Sequence, residues 1–84
     1  MGSEATKGAN MLVNTCIRDM CKASGASLRG VSLGLGKADT WGKTVSKPTR
    51  SPALATVADV ADVLGYDLAI VDRETGERVG TIEA

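Results

Sequence analysis

Lys37, Lys43, Lys47 and Arg50 crowd into one stretch of the chain, with Asp39, Thr40 and Thr44 set among them. Ammonium and guanidinium groups mixed with hydroxyls suit the binding of phosphates and of donor–acceptor patterns. Bond-breaking chemistry finds little to work with. Histidine is absent, which removes the commonest general base and the commonest metal ligand. Cys16 and Cys21 lie five apart on an expected helix, roughly half a turn from one another. A zinc site needs four ligands, usually Cys and His, and this chain cannot supply them. A disulfide between these two cysteines is disfavoured inside a helix in a reducing compartment. Cys16 is therefore expected in the core and Cys21 near its edge. The segment GLGKAD at Gly34–Asp39 fits neither the dinucleotide nor the Walker spacing, and no strand precedes it. No cofactor, metal or small-molecule substrate is expected, and no enzymatic activity.

With 84 residues the chain has room for one domain and a modest core, a size that often leans on a partner subunit. The formal net charge is zero but unevenly spread. Residues 1–50 hold eight Lys/Arg and three Asp/Glu, a balance of +5; residues 51–84 hold two and seven, a balance of −5. One part of such a molecule can meet phosphates while the other stays away. No apolar run is long enough to span a membrane, and MGSEATKGAN lacks the apolar stretch of a secretory signal, so a cytoplasmic protein is expected. Residues 1–10 are expected to be a disordered segment or a remnant of expression, with Met11 as an alternative start.

Positioning falls to helices. Leu12, Val13, Cys16, Ile17 and Met20 follow the spacing of one buried stripe, which predicts a helix from Met11 to Ala23 capped by Asn10 and stopped by Gly25. Ser27 caps a second helix in which Leu28, Val31, Ser32 and Leu35 share a face. Gly30 and Gly34 weaken it by up to about 1 kcal/mol each, and Gly36 breaks it. Lys37–Ser46 reads as a third short helix, with Trp41 and Val45 on one side. Trp41 is expected to pack in or beside the core, the alternative being a place on a nucleic-acid backbone. Lys47-Pro48-Thr49-Arg50 is a loop. Ser51-Pro52 starts a fourth helix, buried along Leu54, Val57, Ala58, Ala61 and Leu64 with Asp59 and Asp62 outward, and Gly65 ends it.

The period then changes. Asp67–Asp72 and Glu77–Ile82 read as two strands joined by the turn Arg73-Glu-Thr-Gly76. Leu68 and Ile70 share one face; Ala69 and Val71 share the other. A hairpin apolar on both faces needs cover on both. Its own helices cover one, and a second copy covers the rest through Leu68, Ile70, Val79 and Ile82. The alternative is a hairpin that merely folds onto its own helices. The domain plan is thus residues 11–66 as a helical unit and 67–84 as a hairpin, the expected dimerisation element.

The rhythm Ile17-Arg-Asp-Met20, the segment SLRGVSLGLG, the helix SPALATVADVADVLGYDL and the closing DLAIVDRETGERVGTI together resemble the Cro/C1-type (Xre) helix-turn-helix regulators, especially short phage- and mobile-element-associated members that end in a β-hairpin. The resemblance spans residues 12–83. It implies a mainly α fold, a lambda-repressor-like helix-turn-helix bundle of about four helices followed by a C-terminal β-hairpin. It further implies a dimer that binds operator DNA through the major groove as a repressor or autoregulator. Ala38, Asp39, Thr40, Lys43 and Thr44 would then face base edges, a mix that can reach guanine, cytosine and the thymine methyl. Ser27, Arg29, Lys37, Lys47 and Arg50 would meet phosphates. Two departures stand out. Gly42 occupies a position where the family usually has a bulky apolar residue, and Val45-Ser-Lys-Pro replaces the family's frequent Arg-Ile-Glu turn. Because fold does not settle function, the alternative is a helix-turn-helix protein that binds a protein partner, as an anti-CRISPR-like inhibitor of a host complex or an antitoxin.

Overall fold

A computed structural model describes residues 11–83 and arranges them as four helices followed by a two-stranded antiparallel hairpin. The fold class is thus the expected one, mainly α with a C-terminal β-hairpin. The expectations for residues 1–10, including Asn10 as a cap, lie outside the described residues.

Helix α1 runs Cys16–Ser24, shorter at its start than expected. Residues 13–15 instead form a turn, in which Thr15 N–H donates to the Leu12 carbonyl and Thr15 Oγ1 donates to Asp19 Oδ2 at 2.9 Å. Leu12 and Val13 do not join the buried stripe; they are 70% and 60% exposed. The inward positions are Ile17, Met20 and Cys21, spaced i, i+3, i+4. That places the cysteines opposite to expectation. Cys21 is buried, whereas Cys16, at the first helical position, is half-buried and donates to the Val13 carbonyl. Gly25 stops α1 in the left-handed region (φ 77°), as expected.

Helix α2 runs Leu28–Gly34; Val31 and Ser32 are buried and Leu28 and Leu35 half-buried. Gly36 turns the chain at φ 71°. Helix α3 is only Trp41–Val45, not 37–46. Ala38–Thr40 forms a turn before it, closed by Trp41 N–H on the Ala38 carbonyl. Asp39 and Thr40 favour turns over helix interiors, and Gly42 adds little propensity, so one helical turn is what remains.

Helix α4 runs Leu54–Leu64, two residues later than Ser51-Pro52 would start it. Pro52 is half-buried in an extended lead-in, and Ala53 caps α4 without a side-chain bond. Val57, Ala58, Val60 and Ala61 are buried. Leu54, expected inside, is 58% exposed, while Val60, absent from the expected stripe, is fully buried. Asp62 is exposed as expected; Asp59 is half-buried. The core joins Ile17, Met20, Cys21, Val31, Val57, Val60 and Ala61, with Trp41, Val45, Leu64 and Leu68 packed at its margin.

Strands β1 (Leu68–Val71) and β2 (Arg78–Ile82) pair with Leu68 opposite Ile82 and Ile70 opposite Gly80. The register slips between Ile70 and Val71, leaving Val79 as the extra residue of a bulge. Asp72 builds the turn: its Oδ1 accepts from Glu74 and Thr75 N–H, and its carbonyl accepts from Gly76 N–H. No helix among the described residues is long and apolar enough to cross a membrane.

Candidate nucleic-acid interface

Helix α2, the Gly36 turn and α3 form one unit. Ser27 caps α2 as expected: its Oγ accepts from Gly30 N–H at 2.9 Å. At the far end Lys37 N–H returns to the Ser32 carbonyl at 2.9 Å, tightening the turn. Helix α3 then lies against α2 at Gly42. A Cβ at position 42 would stand 2.7 Å from the Leu28 carbonyl oxygen, so the backbones meet where only glycine fits.

Trp41 and Val45 are half-buried against the core, Trp41 thereby taking the expected place, and Gly42 is buried against α2. With those positions turned inward, Lys43 and Thr44 are left exposed on α3, with Thr40 exposed just before it. Thr44 Oγ1 donates to the Thr40 carbonyl at 3.1 Å, which leaves its lone pairs free to accept. Of the five residues proposed for base edges, Ala38, Asp39 and Thr40 therefore occupy the turn ahead of α3, and Lys43 and Thr44 the helix itself.

Among the described residues, one ion pair lies on this surface. Arg29 Nε stands 3.7 Å from Asp39 Oδ2, both side chains more than half exposed. A pair so exposed contributes little to stability, yet it partly neutralises Arg29 and turns Asp39 toward a neighbour. Lys37 Nζ lies 5.8 Å from the centre of the Trp41 ring. Lys47 and Arg50 are exposed in the loop after α3, closed by Arg50 N–H on the Lys47 carbonyl and tied back by Asn14 Nδ2 on the Pro48 carbonyl at 3.0 Å.

Two residues that local pattern did not single out for this surface hold α3 in place. Ser32 is fully buried; its Oγ accepts from Gly42 N–H at 2.7 Å and donates to the Leu28 carbonyl at 2.8 Å. Arg18 on α1 donates from Nε to the Ser46 carbonyl, just past the end of α3, at 3.0 Å. A hydroxyl inside the apolar stripe of α2 was a signal for the first. Nothing local marks the second.

On the hairpin, Leu68 and Ile82 are half-buried as a cross-strand pair and Leu68 packs on the core, whereas Ile70 and Val79 are 52% and 72% exposed. Compared with known proteins, the chain matches no family model, no curated protein and no solved structure.

Proposed function

We propose that the chain is a sequence-specific DNA-binding transcriptional regulator, a cytoplasmic repressor or autoregulator. It would bind operator DNA as a dimer, placing α3 and the turn before it in the major groove. The observation that carries this reading is the inward anchoring of Trp41, Gly42 and Val45, which leaves Thr40, Lys43 and Thr44 outward on a short, braced helix. A five-residue helix is about 7.5 Å long, and the major groove is about 12 Å wide, so its side chains, not its length, must do the reading. Lys43 suits guanine O6/N7 and Thr44 accepts or donates at a base edge. Arg29, Lys37, Lys47 and Arg50 neutralise phosphates around it.

The test is a fluorescence-anisotropy titration of the full chain on duplex from upstream of its own gene and on a scrambled duplex, at several salt concentrations. Preference for the first, with affinity falling steeply as salt rises, is the expected result. Lys43→Ala and Thr44→Ala relax that preference; Arg50→Ala weakens both duplexes evenly and lowers the salt slope by about one. Equal, weak binding to every duplex would refute the proposal.

A groove of about 520 Å³, lined by Met11, Met20, Ala23, Tyr66 and Leu68 with Asp67 and Arg78 beside them, favours a second reading, an inhibitor or antitoxin that binds a protein partner. Stoichiometric capture of a host or toxin protein, with no retention of DNA, would support it over the first.

A further inference from the structure

A helix of one turn does not hold itself together in water. Nucleation fixes several residues for the first hydrogen bond, and a segment this short never recovers the cost by propagation. Its first N–H groups and last carbonyls also lack partners inside the helix. Thr40, at the N-cap of α3, makes no side-chain cap bond. The partners come from other helices. At the N-terminal end the Gly42 N–H is met by Ser32 Oγ of α2 at 2.7 Å. At the C-terminal end the Ser46 carbonyl is met by the Arg18 guanidinium of α1 at 3.0 Å, a cation placed where a helix dipole favours one.

We infer that Ser32 and Arg18 are positioning residues: they clamp the two ends of α3 from α2 and α1 and so set the shape of the surface that reads DNA. Ser32 can serve because it is fully buried and its own proton is already committed to the Leu28 carbonyl, which aims a lone pair at Gly42. Gly42 can be reached because it has no Cβ to hold α2 away. Arg18 touches the backbone at Ser46, a buried residue, so removing it frees the end of α3 and the start of the loop carrying Lys47 and Arg50. The link to DNA rests on the functional reading above; the clamp itself does not.

Amide hydrogen exchange on the full chain reads the clamp without DNA. Losing a cap of about 1 kcal/mol predicts that Gly42 and Thr44 amides exchange about fivefold faster in Ser32→Ala and in Arg18→Ala, while the Val60 amide of α4 is unchanged. Arg18→Lys restores part of the protection. Acceleration of α3 and α4 together, or of neither, would overturn the clamp. Should Ser32→Ala fail to fold, the Arg18→Ala and Arg18→Lys pair decides, since Arg18 is an exposed residue. On DNA, each alanine variant should lose about fivefold in discrimination between upstream and scrambled duplex with the salt slope intact. A slope lowered by about one in Arg18→Ala would make Arg18 a phosphate contact and overturn its positioning role. Faster exchange with discrimination intact would separate α3 from DNA reading. A wild-type chain that discriminates between no duplexes refutes the functional proposal alone, and the exchange rates still judge the clamp.

Discussion

Gly42→Ala sets two opposing effects against each other. Alanine for glycine inside a helix ordinarily adds about 0.8–1 kcal/mol of stability. At position 42 the new Cβ would stand 2.7 Å from the Leu28 carbonyl oxygen, 3.3 Å from its carbon and 2.9 Å from Ser32 Oγ. Two of those atoms are backbone and cannot rotate away. Reaching ordinary contact at 3.4 Å requires α2 and α3 to part by 0.7 Å, the difference between 3.4 and 2.7. The same movement stretches the 2.7 Å bond from Gly42 N–H to Ser32 Oγ beyond useful length. Overpacking of this kind costs about 1–3 kcal/mol, and a buried bond lost with its donor unsatisfied about 1–2 kcal/mol more. Set against the propensity gain, the net loss is about 2 kcal/mol. For a domain of this size that lowers the midpoint of thermal unfolding by about 8–16 °C. Circular dichroism during heating, supported by urea titration, measures it. Gly34→Ala is the control. It too is helical, but its Cβ would meet only Val63 Cγ1, at 3.4 Å, so it should be neutral or mildly stabilising. A Gly42→Ala protein as stable as the wild type, or no different from Gly34→Ala, would refute the close approach of α2 and α3.

Ser27→Ala should cost about 1 kcal/mol in urea unfolding by removing the cap on Gly30 N–H, and an unchanged midpoint would remove Ser27 from that role. Ile17→Ala, at a site 1% exposed, should cost about 3 kcal/mol, whereas Leu12→Ala, at a site 70% exposed, should stay within about 0.5 kcal/mol; equal losses would mean that Leu12 is packed. Burial pushes the Cys16 and Cys21 thiols above their ordinary value of 9.0, so alkylation rates should still be climbing past pH 9, with Cys21 the slower. Because the unfolded chain ionises these thiols first, their contribution to stability is complete below the ordinary value and is lost as pH rises through the raised one. Rates that level off at pH 9 would contradict this. If the chain forms the proposed dimer, Ile70→Asp should convert it to monomers in sedimentation velocity with the helical signal intact; an unchanged mass would exclude the hairpin as the interface.

Much of the architecture was legible because it is written in local chemistry. Gly25 and Gly65 end α1 and α4 in the left-handed region, where any other residue carries strain. Ser27 caps α2, and the change from helical spacing to β-branched runs marks the hairpin. The errors fall where propensity is silent about neighbours. Leu12, Val13 and Leu54 have the right type for a buried stripe, but each lies at or before the first turn of its helix, and they stay exposed. The exchange of Cys16 and Cys21 follows from the same cause. Shortening α1 moves its inward centre to Ile17, Met20 and Cys21.

The proposed interface shows the same division more sharply. Which residue types gather there is a matter of composition, and the clustering of lysines and threonines between positions 37 and 50 is visible without any fold. How they are presented is set by residues far away in the chain. The spacing of Trp41 and Val45 predicts a helix from Lys37, and those two residues do share a side. Its length depends instead on what can satisfy its ends. Ser32 reaches Gly42 across ten positions and Arg18 reaches Ser46 across twenty-eight, so neither brace belongs to α3 itself. A helix that carries its own caps can be bounded from its own residues. One braced from α1 and α2 is as long as those braces allow, so the surface expected to read DNA is the part of this fold least determined by the residues that compose it.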